Sequence, residues 1–225
     1  MKVNKIRQYI NITNHCNANC EFCCMWSHST KHTFMSFEIF KKIIDSSTNH
    51  FELQLEGGEP LFHKDLYLFM EYARSTNRCD KIIILTNGIL LDKHLRKLIN
   101  FHKDYKIPIV IKVSLNYWLY KLDPKCFDKA LDYHLATEFI SGVDVLFNVR
   151  LRHKDSWLKD LIYQYKLDKV SNIFYLQSYG KLEKEAEYEK PVIVQNIDDW
   201  FLYACDGTCF KKDLIGRSNY EKELS

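Results

Sequence analysis

The chain has 225 residues, 46% of them hydrophobic and 27% charged, which is the composition of an ordinary globular protein with one domain or one domain and a small appendage. Its 32 basic and 29 acidic residues are mixed along the chain and give a formal net charge of +3. Because no basic face stands out, the sequence does not imply nucleic acid as the main partner. The apolar runs are too short for a signal peptide or a membrane span, so we expect a cytoplasmic protein with no membrane partner.

Apolar runs alternate with amphipathic stretches along most of the chain, which predicts repeated βα units around a parallel sheet. In chain order the predicted elements are a strand at Gln8–Thr13, a helix from Ser36, a strand at Glu52–Glu56, a helix at Lys64–Ser75, a strand at Lys81–Thr86, a helix at Asp92–Phe101, a strand at Ile109–Asn116, a helix at Asp123–Phe139, a strand at Val143–Leu151, a helix at Trp157–Tyr165 and a strand at Ile173–Ser178.

Six such units are too few to close an eight-stranded barrel. The predicted fold is therefore α/β, a partial (βα)6 parallel barrel over residues 1–180, with a short C-terminal extension at 181–225 that covers the barrel mouth. In βα assemblies the chemistry gathers at the carboxyl ends of the strands. The glycines and polar residues that follow the predicted strands mark that end as the expected site.

Four of the eight cysteines fall close together, at Cys16, Cys20, Cys23 and Cys24. In a reducing compartment, clustered cysteines are more often a metal site than a disulfide framework. The spacing C-x3-C-x2-C provides three thiolates on one tight loop, which suits an iron–sulfur cubane whose fourth iron stays open. The alternative is a structural zinc site with Cys24 or His15 as fourth ligand, although adjacent cysteines rarely point at one metal.

This loop resembles the core motif of the radical S-adenosylmethionine (radical SAM) superfamily, C-x3-C-x-aromatic-C after the first strand, with Phe22 in the aromatic position beside the cofactor. The lead-in from Asn11 to Cys16 is also similar. The resemblance implies one [4Fe–4S] cluster on Cys16, Cys20 and Cys23, with S-adenosylmethionine bound at the open iron.

A second motif, Gly57-Gly58-Glu59-Pro60 at the end of the next predicted strand, resembles the GGEP turn of the same superfamily. The resemblance implies that its backbone and its glutamate meet the methionine amino group. Glycines suit that task because a residue without a Cβ lets a ligand amine approach the backbone closely.

Weaker resemblances follow on the later strands. Thr86-Asn87-Gly88 looks like the TNG turn of many members. Ser114 and Asn116 correspond to a strand end that contacts the cofactor ribose, although many members have an aspartate at the place of Asn116. Arg150 would pair with the methionine carboxylate, unless it shares an outward face with Asn148 and Arg152. Gln177 is a further polar residue in an apolar strand and a candidate for cofactor binding.

The resemblance implies reductive cleavage of S-adenosylmethionine to a 5′-deoxyadenosyl radical that abstracts hydrogen from a substrate, with an electron from a flavodoxin or ferredoxin. The tail cysteines Cys205 and Cys209 resemble the cysteine-rich tails of peptide-modifying relatives, which favours a peptide or natural-product intermediate. Only two tail cysteines are present, so we expect a single cluster. Two alternatives stay open: an enzyme acting on a small metabolite such as a nucleobase or pterin precursor, and a non-catalytic zinc- or cluster-binding interaction protein.

Overall fold

The computed structural model of the protein describes residues 6–184 and 198–224. Its centre is a seven-stranded sheet in the order β6-β5-β4-β3-β2-β1-β7, and every neighbouring pair is parallel. The strands are β1 at Ile6–Thr13, β2 at Phe51–Gly57, β3 at Cys79–Thr86, β4 at Ile109–Asn116, β5 at Val143–Leu151, β6 at Ser171–Tyr175 and β7 at Asp199–Tyr203.

Helical crossovers connect the first six strands, as parallel pairing requires. They are α1 at Phe37–Ser46, α2 at Leu66–Ser75, α3 at Leu91–Tyr105, α4 at Tyr117–Leu122, α5 at Cys126–Thr137, α6 at Trp157–Gln164 and, after β7, α7 at Leu214–Glu223. None of the helices within the described ranges is both long and apolar enough to cross a membrane.

Successive strand residues point to opposite sides of the sheet, and on β2 one side is apolar and the other polar. On β2, Leu53 and Leu55 belong to the hydrophobic core that also contains Phe40 of α1 and Phe69 of α2. The rings of Phe40 and Phe69 stack with their centroids 4.3 Å apart. The alternate residues of β2 face the concave interior of the partial barrel and are all polar or charged. These residues are Glu52, Gln54 and Glu56.

The predicted α/β partial barrel is confirmed, and each of the six predicted strands is present. Two local predictions differ from the structure. The single helix predicted at 123–139 is two helices, α4 and α5, since Asn116 caps a helix at Tyr117 and Pro124 lies between the two. Strand β6 covers 171–175 and ends before Ser178.

The tail adds a seventh strand that the sequence analysis did not predict. Strand β7 pairs in parallel with β1, with Ile6 opposite Asp199 and Ile10 opposite Tyr203. Tyr203 joins the core, while Lys212 lies 4.6 Å from the centre of the Trp200 ring. The described part of the tail therefore extends the sheet at its β1 edge, and α7 returns to the carboxyl end of β1 and β2.

Candidate functional site

The cysteine loop connects β1 to α1 and folds back on itself at the carboxyl end of the sheet. Thr13 forms an isolated antiparallel β-bridge with Phe34, and His15 forms an isolated parallel β-bridge with His28. Within the loop, the Cys16 backbone N–H donates to the His28 carbonyl over 3.2 Å, and the Cys23 N–H donates to the Cys20 carbonyl over 3.2 Å. These bonds make a compact loop that holds the three motif cysteines in one place.

The thiols of this loop are close enough to influence one another. Burial, together with the negative charge of Cys23, raises the pKa of Cys16 to about 11 and that of Cys20 to about 12. No three His, Cys, Asp or Glu side chains in the described ranges converge on a point that could hold one metal ion. A cubane does not need such convergence, since each of its thiolates binds a different iron.

An amide from the third strand end lies against the same loop. Asn87 Nδ2 is 3.7 Å from Cys16 Sγ and donates to Asn17 Oδ1 over 2.7 Å. An N–H aimed at sulfur stabilises a thiolate and tunes a cluster that the sulfur binds. The donor set of one buried and two partly exposed thiols, with a hydrogen bond to the buried one, fits an iron–sulfur cluster.

The turn at Gly57 and Gly58 packs directly on the lead-in to the cysteine loop. The Gly58 N–H donates to the Thr13 carbonyl over 2.6 Å, and the Glu59 N–H donates to the His15 carbonyl over 2.8 Å. A Cβ on Gly57 would lie 1.9 Å from Asn11 Oδ1, and one on Gly58 would lie 2.2 Å from the His15 carbonyl oxygen. Close packing against the lead-in to the cysteine loop is thus a second reason, besides ligand approach, why both positions require glycine.

Glu59 is fully buried, and its carboxylate is shared among three internal donors. It accepts hydrogen bonds from the Leu61 N–H, the Thr86 hydroxyl and, over 2.7 Å, the Asn87 N–H. Burial raises its pKa to about 7. Glu59 therefore ties the Gly57–Pro60 turn to the Thr86-Asn87 turn, and Pro60 begins the short 3-10 turn Pro60–Phe62 that follows.

The aromatic side chain of the cysteine motif meets the later strands. The ring of Phe22 lies 5.0 Å from that of Trp118, and the Arg150 guanidinium carbon lies 6.0 Å from the Phe22 ring centre. Arg150 Nη1 is 3.5 Å from the Ser114 hydroxyl, at the limit of a hydrogen bond. The structure thus brings Phe22, Ser114 and Arg150 together at the inner face of the barrel.

Two other predicted residues lie differently. Asn116 is buried and accepts the Leu119 N–H over 3.0 Å, so its side-chain oxygen caps α4. This is a structural use that an asparagine before a helix predicts by itself. Gln177 follows β6 and is half-buried, and its carbonyl accepts the Tyr179 N–H over 2.9 Å.

The structure also brings charged residues into the barrel interior that the sequence analysis missed. Lys112 Nζ is 3.4 Å from Gln54 Oε1, and Arg217 Nη1 is 2.8 Å from Glu56 Oε1. Burial and the positive charge of Arg7 lower the pKa of Lys112 to about 8. The polar alternation of β2 is the sequence signal that could have identified this lining, whereas nothing in the local pattern of α7 marks Arg217.

The side chains of Tyr179 and Cys24 interact at the end of the cysteine loop, a contact that the sequence did not predict. The charge of Cys24 and burial raise the pKa of Tyr179. Gly180, at a positive φ of 65°, lets this segment approach, since a Cβ there would lie 2.5 Å from Cys24 Cα. The segment after β6 thereby covers the far side of the cysteine loop.

The sequence matches the family model described as "Radical SAM superfamily" over residues 10–132, more than half of the chain. Among curated proteins, the GTP 3′,8-cyclase of Campylobacter jejuni subsp. doylei is 28% identical over 160 residues, or 68% of this chain and 46% of that protein. The probable GTP 3′,8-cyclase of Methanocaldococcus jannaschii is 32% identical over 145 residues, or 63% of this chain and 45% of that protein. The matches thus span about half the length of these relatives.

Solved structures share the fold. The structure of anSMEcpe with bound AdoMet and Cp18Cys peptide aligns over 93% of this chain and 74% of that chain, with a TM-score of 0.64 and 14% sequence identity. Streptococcus suis SuiB bound to the precursor peptide SuiA aligns over 84% of this chain and 42% of that chain, with a TM-score of 0.51 and 14% identity. At such identities the likeness establishes the architecture.

Proposed function

The chain belongs to the radical SAM superfamily of enzymes, whose members bind a [4Fe–4S] cluster and S-adenosylmethionine, and from that premise we propose a radical hydrogen abstraction as its reaction. With both cofactors bound, one electron from a flavodoxin or ferredoxin would break the S–C5′ bond of S-adenosylmethionine, which would supply methionine and a 5′-deoxyadenosyl radical able to take hydrogen from the substrate. The observation that carries the proposal is the compact loop of three motif thiols whose lead-in packs on the Gly57–Gly58 turn.

The residues of this chain have separate tasks in that reaction. Cys16, Cys20 and Cys23 hold the cluster, and Asn87 directs an N–H toward the Cys16 sulfur. The turn at Gly57 to Pro60 receives the methionine amino group through its backbone, and buried Glu59 keeps that turn in place. These assignments follow from the positions of the motifs at the carboxyl ends of β1 and β2.

On the other side of the cysteine loop, Arg150 supplies a cation for the methionine carboxylate, with Ser114 beside it. Phe22 forms an apolar wall against Trp118 and excludes water from that side of the cofactor. Asn116 and Gln177 complete the proposed cofactor pocket, Asn116 by fixing the start of α4. A charge-assisted bond to a carboxylate is stronger than a neutral one, so Arg150 is the main cofactor-binding cation of this set.

For the substrate we propose a small polar molecule with an anionic group. Lys112 lies on the interior face with its Nζ 3.4 Å from Gln54 Oε1, and the charge of Arg7 acts on it more strongly than the opposing charges of Glu56 and Glu52. A half-buried cation without a close carboxylate favours a negatively charged ligand. The curated relatives named GTP 3′,8-cyclase support a small-molecule substrate as well.

A peptide or natural-product intermediate is the second candidate. Strand β6 ends the sheet on its open side, and Phe174 and Tyr175 on this strand are 49% and 43% exposed. An edge strand offers unpaired backbone groups to an extended chain. Phe174 is opposite Arg150 in register, so a peptide on this edge would pass the proposed cofactor pocket.

Anaerobic reconstitution tests the reaction. We expect about four irons and four sulfides per chain, and 5′-deoxyadenosine from S-adenosylmethionine under a chemical reductant. Cys16→Ala, Cys20→Ala and Cys23→Ala should each abolish this product. Cys24→Ala is the matched control and should retain most of it. Tight binding of one zinc ion and no iron would show instead the non-catalytic metal-binding protein.

Substrate class is tested by stimulation of 5′-deoxyadenosine formation in matched panels. One panel contains nucleotides and other phosphorylated metabolites, and the other contains unstructured peptides of mixed sequence. We expect stimulation by the first panel and its loss in Lys112→Met. Stimulation confined to the peptides would instead establish the second candidate.

A further inference from the structure

The carboxylate of Glu221, on the last helix α7, is the centre of a buried hydrogen-bond cluster at the lead-in to the cysteine loop. The residue has no exposed surface, and Asn11 and Asn14 are equally buried. Glu221 Oε2 accepts from Asn14 Nδ2 over 2.9 Å, and Oε1 accepts from Asn11 Nδ2. Oε1 also accepts from the Cys205 backbone N–H over 3.3 Å.

The two asparagines transmit this contact to the loop backbone. Asn11 Oδ1 accepts the Thr13 N–H over 3.1 Å, and Asn11 Nδ2 also donates to Asn14 Oδ1 over 2.7 Å. Asn14 lies two positions before Cys16, the first motif cysteine. The conformation of the segment that enters the loop is thus fixed by side chains that all converge on Glu221.

The same helix also holds the other end of the loop. The Ser218 hydroxyl donates to the Cys24 carbonyl over 2.6 Å, directly after the last motif cysteine. Lys222 lies 4.5 Å from the centre of the Trp26 ring and 2.8 Å from Glu183. Helix α7 therefore contacts the cysteine loop before Cys16 and after Cys23.

We propose that Glu221 is a positioning residue for the iron–sulfur cluster, acting through Asn11 and Asn14 on the loop that carries Cys16, Cys20 and Cys23. The proposal rests on the proposed function. It makes the tail a part of the cluster site, since α7 contacts the segment before Cys16 and the segment after Cys23. The tail then has a role at the cluster site that does not require Cys205 or Cys209 to bind iron.

A carboxylate is the side chain that this place requires. Three N–H donors point at Glu221, and an ionised carboxylate only accepts. A glutamine of the same size would keep one oxygen for Asn11 and Cys205 but turn its own NH2 toward Asn14 Nδ2. Asn14 cannot rotate its amide in response, because its Oδ1 already accepts from Asn11. One donor is then left facing another in a buried place.

This geometry allows a test by exchange of donor and acceptor. In Glu221→Gln, hydrogen exchange of the backbone amides in residues 11–24 of the metal-free protein should be at least about tenfold faster than in wild type. Iron release from the reconstituted protein to a chelator should be faster by a similar factor. The double variant Asn14→Asp/Glu221→Gln restores an acceptor opposite the new NH2 and should recover both rates to within about threefold of wild type.

Glu223→Gln is the matched control, since it makes the same change at an exposed position of the same helix. It should leave both rates unchanged. Far-UV circular dichroism and the urea midpoint report whether each variant folds. If Glu221→Gln does not fold, Asn14→Ala removes the donor to Glu221 together with the oxygen that accepts from Asn11, and it should loosen the loop in the same two measurements.

Two results would overturn the proposal: loop exchange and iron release in Glu221→Gln that match wild type, or a double variant no better than the single one. Because exchange is measured without metal, its outcome is independent of the reaction. A wild-type chain that binds iron but fails to cleave S-adenosylmethionine would contradict the proposed function and leave the Glu221 measurement valid.

Discussion

Arg217 of α7 and Glu56 at the end of β2 form an ion pair inside the barrel, with Nη1 of the arginine 2.8 Å from Oε1 of the glutamate. Their side chains are 4% and 8% exposed, so neither charge is stabilised by bulk water. The arginine Nε has no hydrogen-bond partner within the described residues. The pair is thus a buried contact, in which Gln54 also donates to the Glu56 carboxylate and the charge of Arg217 also acts on Glu221.

Removal of one partner should therefore destabilise the protein strongly. We expect Arg217→Met to lower the free energy of unfolding by about 3–5 kcal/mol, because it leaves the Glu56 carboxylate buried without its counter-charge. Glu56→Gln/Arg217→Met should cost less than the two single changes summed. Urea unfolding of the metal-free protein measures both.

The control for this pair is the exposed ion pair Lys212–Asp199, whose side chains are 51% and 41% exposed. Lys212→Met should change the free energy of unfolding by less than about 1 kcal/mol. Equal effects of Arg217→Met and Lys212→Met would mean that the inner pair contributes no more than a surface one.

Glu59 gives a prediction about pH. Burial raises its pKa from 4.5 to about 7, although three hydrogen bonds to its oxygens oppose the change. Because the folded value lies above the unfolded one, protonated Glu59 favours the folded state. This contribution is complete below about pH 4.5 and is lost as the pH rises through about 7.

The metal-free wild type should therefore lose up to about 3 kcal/mol more stability between these two pH values than Glu59→Gln, in which the position cannot ionise. Urea unfolding at several pH values measures the difference. Glu38→Gln, at an exposed position of α1, should follow the wild-type curve. Parallel curves for wild type and Glu59→Gln would show that Glu59 keeps an ordinary pKa.

The parts of this site that the sequence predicted are those encoded locally. The cysteine spacing and the Gly57–Pro60 turn are contiguous, and each follows a strand whose apolar residues identify it. Parallel topology then places both at one end of the sheet. The partial barrel followed for the same reason, from strands and helices that alternate along the chain.

The parts that were missed depend on contacts between distant segments. Glu221 accepts a hydrogen bond from Asn11, which is 210 residues away in sequence. Helix α7 has no strong apolar stripe from which its docking face could be predicted. Strand β7 is short and lies in a tail of different composition, so only its pairing with β1 identifies it. Asn116 shows the opposite case, since an asparagine followed by a helical segment is a local capping signal that could have been used.

Arg150 is predicted to bind the cofactor carboxylate. On the inner face of β5, its Nη1 lies 3.5 Å from the Ser114 hydroxyl, and its guanidinium carbon lies 6.0 Å from the centre of the Phe22 ring. A charge-assisted hydrogen bond contributes about 1.5–3 kcal/mol. Arg150→Met should therefore raise the dissociation constant for S-adenosylmethionine about ten- to a hundredfold while iron content stays as in wild type.

Anaerobic calorimetry or equilibrium dialysis on the reconstituted protein measures this affinity. Arg96→Met, at an exposed position of α3, is the control and should bind the cofactor as wild type does. An unchanged dissociation constant in Arg150→Met would place this arginine outside the cofactor site and leave it to the substrate.

The tail cysteines lead to a prediction about cluster number. A second cubane would need ligands besides Cys205 and Cys209, and the other cysteines outside the loop are Cys79 and Cys126. Cys79 begins β3, at the opposite end of the sheet from the cysteine loop, whereas Cys205 follows β7 at the same end as that loop. Cys205 is 1% exposed within the core, and Cys209 is exposed at the surface.

These positions do not bring the remaining thiols together, so we expect about four irons per chain in wild type and in Cys205→Ser/Cys209→Ser alike. The double variant should be less stable than wild type, because Cys205 packs in the core and its backbone N–H binds Glu221. Iron and sulfide quantitation after anaerobic reconstitution measures the cluster number, and Cys209→Ser alone separates the exposed thiol from the buried one. A wild-type value near eight irons that falls in the double variant would establish a second cluster in the tail and favour the peptide substrate over the small polar one.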